Sequence, residues 1–112
     1  ITAGELKHGT IALVEDDTLI FALASQDFLF EKMLSNIEEV KTRGARVVGI
    51  AKKSQNAIQS KADEVIFIPD CADEITPLLT VVPLQLFAYY VAKRRGTNVD
   101  KPKNLAKSVT VE

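Results

Sequence analysis

The sequence is poor in the residues from which compact chemical sites are usually built. Its 112 residues include one cysteine, Cys71, one histidine, His8, and no tryptophan. A single cysteine excludes an internal disulfide, and this scarcity favours a cytosolic protein. One histidine and one cysteine do not assemble a metal site by themselves, and neither a glycine-rich nucleotide loop nor a paired zinc-ligand motif is present. We therefore predict that the chain binds no metal and that Cys71 is structural.

Charge and hydropathy also exclude two classes of partner. The formal net charge is −1, without the basic excess that nucleic-acid-binding proteins carry. We see no apolar run that approaches the length of about 20 residues needed to cross a bilayer, and no signal peptide at the start of the sequence. We therefore expect no nucleic-acid partner and no membrane. Because the first residue is Ile1 and not methionine, we expect a piece of a longer protein.

Three apolar segments are predicted to be buried strands. They are Leu19–Ala24, Val47–Ala51 and Val65–Ile68, and each is a continuous apolar run rather than an alternating one. A continuous run indicates a strand that is covered on both faces, as in a parallel sheet. Apolar residues make up 46% of the sequence, which is enough for the core of one domain.

Helical patterns separate and follow these strands. Asp27–Arg43 carries apolar residues at helical spacing, with Asp27 placed to cap the helix N-terminus. Ser54–Lys61 predicts a short helix capped by Ser54, although the turn after a parallel strand is also a place where an anion can bind. Thr76–Arg95 predicts a long apolar segment that an internal proline kinks or divides into two helices. The alternation of strands and helices predicts an α/β fold with a parallel sheet, right-handed crossovers and helices on both faces.

Two residues can be interpreted either as ordinary surface residues or as catalytic groups. His8, flanked by small and polar residues, is either a surface histidine in a loop or an acid–base group, since imidazole titrates near neutral pH. Lys107 is either a solvated charge near the terminus or a Schiff-base lysine. The second role needs the neutral amine, so the pKa of Lys107 would have to be lowered by desolvation or by a nearby cation. Composition alone favours an ordinary, solvent-exposed role for both residues.

Three stretches resemble one enzyme family, the glucosamine-6-phosphate synthases, also called glutamine–fructose-6-phosphate aminotransferases. Residues 3–9 read A-G-E-L-K-H-G, residues 82–86 read V-P-L-Q-L, and residues 98–112 read N-V-D-K-P-K-N-L-A-K-S-V-T-V-E. The last stretch is specific, because other sugar-isomerase (SIS) proteins generally lack this ending. The resemblance implies that residues 1–112 form the second SIS subdomain of such an enzyme. It also implies a three-layer αβα sandwich of flavodoxin-like topology, with an irregular active-site tail over residues 97–112.

The resemblance further implies an activity and the residues that carry it. The family converts fructose 6-phosphate and glutamine into glucosamine 6-phosphate and glutamate, with no metal or organic cofactor. Lys107 matches the lysine that forms a Schiff base with the ketose, and His8 matches the histidine implicated in opening the sugar ring. Ala106 matches a backbone contact beside the sugar. In the family the histidine reaches the site of the neighbouring subunit, so the resemblance implies a cytoplasmic homodimer.

Several parts of the family's site have no counterpart in this sequence. The catalytic glutamate lies upstream of the A-G-E-L-K-H-G motif, and the phosphate-binding loops belong to the first SIS subdomain. The glutaminase domain with its cysteine nucleophile is also outside the sequence. Thr10 replaces a common proline and Lys103 replaces the usual arginine, and both changes look tolerable. We expect the chain to be inactive alone and to require those two domains of its parent chain. A non-catalytic SIS sugar-phosphate sensor and a free-standing scaffold domain stay open as alternatives.

Overall fold

A computed structural model describes residues 1–101 of the chain. Two compact units can be distinguished by their internal contacts, one comprising Ile1–Thr80 and a second that starts at Val81. The first unit contains the whole β-sheet, and it is the unit in which the hydrophobic core lies.

The sheet has three parallel strands in the order β1, β2, β3. The strands are Leu19–Leu23 (β1), Arg46–Lys52 (β2) and Glu64–Ile68 (β3). The register aligns Ala22 of β1 with Gly49 of β2, and Gly49 with Val65 of β3. All three strands lie within one residue of the predicted limits. Short length and enrichment in β-branched residues distinguish such apolar runs from segments of a buried helix.

Two α-helices and five short 3₁₀ turns complete the described chain. Helix α1 spans Phe30–Lys41 and helix α2 spans Thr76–Arg94. The proline within α2 does not divide it into two helices, as the sequence had allowed. The 3₁₀ turns are Ala3–His8, Thr10–Leu13, Asp27–Leu29, Asn56–Ser60 and Asp73–Ile75.

One face of the sheet packs against α1 and against the turn after β2. The core cluster on this face includes Ile37 and Val40 of α1 together with Val47 of β2, each no more than 2% exposed. Gly49 lies on the same face, and a Cβ atom there would come within 2.5 Å of the Cδ1 atom of Ile58. Glycine is therefore needed at the centre of the strand so that the following turn can approach the sheet closely.

The opposite face is covered at its centre and open at one edge. Ile50 alternates with the residues that face α1, so its side chain lies on this second face, and it is fully buried. Leu19 and Leu23 of the edge strand β1, by contrast, are about half exposed. The central strand is thus buried on both sides, as its continuous apolar run predicted. The predicted α/β class with a parallel sheet and flanking helices is confirmed.

The segment that ends in α2 is apolar over most of its length. Residues Asp73–Arg94 form a 22-residue helical stretch that contains an 18-residue window with a mean hydropathy of 1.6, long and apolar enough by length and composition to cross a membrane. The expectation that no apolar segment approaches this length was wrong, because the many leucine and valine residues keep the average hydropathy high although polar residues such as Gln85 interrupt the run. Length and hydropathy are weak grounds for a membrane span, since core helices of soluble proteins share both.

Candidate functional site

His8 lies at the end of the first 3₁₀ turn, with its side chain exposed to solvent. The turn is closed by a hydrogen bond from the Gly9 N–H to the carbonyl oxygen of Leu6, and the Leu6 side chain packs against the core cluster. Within residues 1–101 no hydrogen bond or ion pair to the imidazole is present. The motif therefore attaches to the domain through its leucine and presents its histidine outward.

The other two predicted site residues, Lys107 and Ala106, lie outside the described residues. The chain that leads toward them is ordered by hydrogen bonds as far as Lys101. After α2, both the N–H and the hydroxyl of Thr97 donate to the carbonyl oxygen of Ala92, at 3.0 and 2.9 Å. The side-chain oxygen of Asn98 then accepts the N–H groups of Asp100 and Lys101, at 3.0 and 3.2 Å.

An ion-pair cluster with a buried lysine at its centre occupies the carboxyl end of the sheet. Its centre is Lys52, the last residue of β2, whose side chain is 2% exposed. The Lys52 ammonium donates to Oδ1 of Asp73 at 2.7 Å and to Oδ2 of Asp27 at 2.9 Å. Asp27 lies in the connection after β1, and Asp73 lies in the connection after β3. One side chain thus joins the end of β2 to the loops that follow β1 and β3.

Gln55 completes this cluster by satisfying its remaining polar groups. Its side-chain oxygen accepts the Lys52 N–H at 2.8 Å, and its amide nitrogen donates to Oδ1 of Asp27 at 2.8 Å. The Asp27 N–H donates in turn to both carboxylate oxygens of Asp73, at 3.1 Å each. We call Lys52, Asp27, Asp73 and Gln55 the edge cluster. A buried charge is tolerated only when it is paired and hydrogen-bonded, and the edge cluster meets this requirement.

The electrostatics of the edge cluster favour the ionised forms of Lys52 and Asp73. The hydrogen bond to Asp73 is the main cause that raises the pKa of Lys52, and it outweighs the opposing effect of burial. The hydrogen bond from Lys52 lowers the pKa of Asp73, with the Asp27 N–H adding to the effect. The Lys52 amine is therefore protonated at neutral pH, so it is a hydrogen-bond donor and not a nucleophile.

A neighbouring contact replaces the predicted cap of Ser54. The Ser54 N–H donates to Oδ1 of Asp70 at 3.0 Å, which lowers the pKa of that carboxyl group. The following 3₁₀ turn has Gln55 at its N-cap position and no side-chain cap bond. The predicted capping role of Ser54 was wrong. A carboxylate also occupies the turn where the sequence had allowed an anion.

Sequence reasoning missed the edge cluster and misassigned one of its members. Asp27 had been predicted to cap a helix, but α1 begins three residues later and no side-chain cap bond is present there. Lys52 directly follows an apolar run, and a lysine at the end of a strand is usually a solvated charge. The available signal was that a lysine continues the buried strand without a polar spacer, with an aspartate in the connection after each of the other two strands. Among residues 1–101 no group of three or more histidine, cysteine or acidic side chains could hold a metal ion.

The family model described as the SIS domain matches residues 1–93 of the chain. The chain belongs to the SIS domain family. The match includes the sheet, the edge cluster and nearly all of α2, so we assign α2 to this folded domain and not to a membrane.

Relatives of known name agree over almost the whole chain. The glutamine–fructose-6-phosphate aminotransferase (isomerizing) of Caldanaerobacter subterraneus subsp. tengcongensis is 66% identical over 110 residues, which is 98% of this chain. The protein of the same name from Clostridium acetobutylicum is 54% identical over 109 residues. The chain spans 18% of the length of each of these relatives.

A solved structure supports the same relationship. The C-terminal domain of glucosamine-fructose-6-phosphate aminotransferase from Francisella tularensis superposes with a TM-score of 0.77 at 36% identity. The superposition covers 88% of this chain and 28% of that one. The resemblance drawn from three short motifs is therefore confirmed, and the chain is homologous to a C-terminal SIS domain of these aminotransferases.

Proposed function

We propose that the chain is the second SIS subdomain of a glutamine–fructose-6-phosphate aminotransferase and contributes part of its sugar-isomerase site. The observation that carries this proposal is the 66% identity over 98% of the chain to a relative with that name. The reaction would convert fructose 6-phosphate and glutamine-derived ammonia into glucosamine 6-phosphate. We assign the chain two side chains of that site, Lys107 and His8, and a backbone contact to the sugar at Ala106.

Lys107 would act as the amine that activates the ketose. Its nitrogen attacks the C2 carbonyl carbon, the carbonyl oxygen leaves as water, and a carbon–nitrogen double bond remains. This imine is a better electron sink than the ketone, so proton transfer at the neighbouring carbon becomes easier. Lys52 does not suit this role, because a lysine held between two carboxylates stays protonated and cannot attack a carbonyl.

His8 would move the proton that ring opening requires. Breaking the bond between C2 and the ring oxygen needs a proton at that oxygen and the removal of one from the C2 hydroxyl. An exposed imidazole on a short turn anchored by Leu6 suits a group that completes a site built by other parts of the protein. We propose that this site lies in the neighbouring subunit of a homodimer. A surface of that neighbouring subunit would then cover the His8 side chain.

The remaining components would come from the parent chain. The first SIS subdomain would bind the phosphate and the glutaminase domain would supply ammonia, so the isolated chain would catalyse no synthesis. We expect the parent enzyme to be cytoplasmic and to use no cofactor.

Borohydride trapping tests the imine directly. The full-length protein is incubated with fructose 6-phosphate and then with borohydride, which delivers hydride to the imine carbon and leaves a stable secondary amine. Intact mass and peptide mapping should locate one hexose phosphate adduct at Lys107. The variant Lys107→Ala should lose the adduct, whereas the control Lys103→Ala, four residues away in the same tail, should keep it.

Equal trapping by Lys107→Ala would contradict the proposal. If hexose phosphate binds normally to the unmodified protein but no adduct forms, the non-catalytic sensor becomes the better description. Synthesis of glucosamine 6-phosphate by the isolated 112-residue chain would contradict the view that it holds only part of the site.

A further inference from the structure

Parallel α/β sheets usually bind ligands beyond the carboxyl ends of their strands, where the connecting loops form a crevice. In this chain, side chains of the protein itself occupy that position. Lys52 ends the central strand, and its ammonium contacts a carboxylate from the loop after each flanking strand. The loops after the two flanking strands therefore meet at a single side chain, which comes from the end of the central strand.

We infer that Lys52 acts as a built-in ligand that closes the carboxyl end of this sheet, joins its three loops and leaves no phosphate site there. Burial supports this inference, because the Lys52 side chain is 2% exposed while the adjacent Lys53 is exposed. Two neighbouring lysines thus differ completely in environment. Successive side chains of an extended chain point in opposite directions, so the Lys52 side chain is buried and the Lys53 side chain is exposed to solvent.

The hydrogen-bond pattern explains how one residue can hold three loops. Asp73 accepts from Lys52 and from the Asp27 N–H, so the loops after β1 and β3 are bonded to each other as well as to β2. Gln55 returns from the turn after β2 to bond both the Lys52 N–H and the Asp27 carboxylate. Removing the ammonium would leave two carboxylates facing each other without a cation, and such a pair repels.

The charge balance also makes this end of the sheet unsuitable for a phosphate. One ammonium faces two carboxylates in the edge cluster, and Asp70 adds a further acidic group on the Ser54 N–H nearby. A phosphate would meet an excess of negative charge and a backbone N–H that is already occupied. The sugar phosphate of the proposed reaction would have to bind elsewhere.

Hydrogen exchange followed by mass spectrometry tests both parts of the inference in the full-length protein. We compare the unmodified protein with Lys52→Met and with the matched control Lys53→Met. In Lys52→Met, the backbone amides of Asp27 and of residue 52 should exchange at least about tenfold faster. Their acceptors, the Asp73 carboxylate and the Gln55 side-chain oxygen, would no longer be held in fixed positions. The control should leave both rates unchanged. Added inorganic phosphate should not slow exchange at either amide in the unmodified protein.

Unchanged exchange at these amides in a folded Lys52→Met protein would overturn the inference. Slower exchange confined to the same amides on addition of phosphate would overturn it as well, because it would reveal an anion site at this end. If Lys52→Met does not fold, Asp27→Asn decides the question, since Asp27 is 65% exposed and its replacement preserves side-chain shape. That variant should accelerate exchange at the amide of Lys52, and the absence of any change would refute the proposed linkage.

Discussion

The Nζ atom of Lys52 lies 2.7 Å from Oδ1 of Asp73, although the two residues are 21 positions apart in the sequence. The contact links the end of the central strand to the turn from which α2 begins. Asp27 forms the second ion pair with the same ammonium, at 2.9 Å. The two aspartates differ in burial, however, and this difference yields the first prediction.

Asp73→Asn should lower the stability of the chain more than Asp27→Asn. Asp73 is 22% exposed and accepts both the ammonium and the Asp27 N–H, whereas the Asp27 carboxylate is 65% exposed and can be hydrated. Loss of charge at the more buried site leaves Lys52 with a weaker partner, and water cannot compensate. Urea unfolding of both variants under one set of conditions measures the difference in midpoint. Equal midpoints for the two variants would mean that the solvent exposure of the aspartate does not determine how much its charge contributes to stability.

Stability should fall at acid pH because several aspartates are stabilised in their ionised form. The Val47 N–H is the main cause that lowers the pKa of Asp63, and the Lys52 ammonium is the main cause that lowers the pKa of Asp73. An aspartate with a lowered pKa contributes stability above its ordinary value of 3.8. In this acid range the unfolded chain binds more protons, so the contribution disappears as the pH falls through the folded pKa.

The measurement for this prediction is the free energy of unfolding from urea titrations at several pH values between neutrality and about pH 3. Asp63→Asn should flatten the acid decline, since one of the responsible groups no longer titrates. Lys52 has a raised pKa, so its contribution is complete below the ordinary value of 10.5 and declines as the pH rises beyond it. Stability that is constant from pH 7 to pH 3 would contradict the assignment of these contacts.

Gly44→Ala should destabilise the chain by at least about 1–2 kcal/mol, the cost of a left-handed backbone conformation for a residue with a Cβ atom. Gly44 has φ +86° after α1, and an added Cβ would lie 2.0 Å from Oδ1 of Asp16 and 3.0 Å from its Cα atom. The control is Gly4→Ala, where no atom lies within 4 Å of the added Cβ and where we expect less than about 0.5 kcal/mol. Similar losses in the two variants would contradict this explanation.

Local sequence patterns predicted the strands well and the edge cluster not at all. Val47–Ala51 was predicted as a buried strand because its apolar run is a property of consecutive residues. The burial of Lys52 depends on Asp27 and Asp73, which lie 25 and 21 residues away, so no local pattern contains it. The capping role predicted for Asp27 failed for the same reason, since a distant ammonium competes for the carboxylate. The expectation about apolar run length failed at α2, because polar residues that interrupt the sequence leave the helix apolar on average.

The candidate site was predictable only where a motif identified it. His8 and Lys107 are ordinary surface residues by composition, and the resemblance of the surrounding motifs provided their roles. The structure places His8 on an exposed turn, and Lys107 lies outside the described residues. In the proposed enzyme, the groups that would perturb either residue come from other parts of the parent protein, so the sequence of this chain alone does not contain them.

His8→Asn in the full-length protein should reduce turnover of fructose 6-phosphate by about 10²–10⁴, the usual contribution of a general acid–base group. The loss should be much smaller with a 5-deoxy analogue of the substrate, which lacks the hydroxyl that closes the furanose ring and so requires no opening. The control Lys7→Ala alters the adjacent exposed side chain and should affect neither substrate. An equal loss of turnover with both substrates would show that His8 acts after ring opening or only supports the fold, and the assigned role would have to be abandoned.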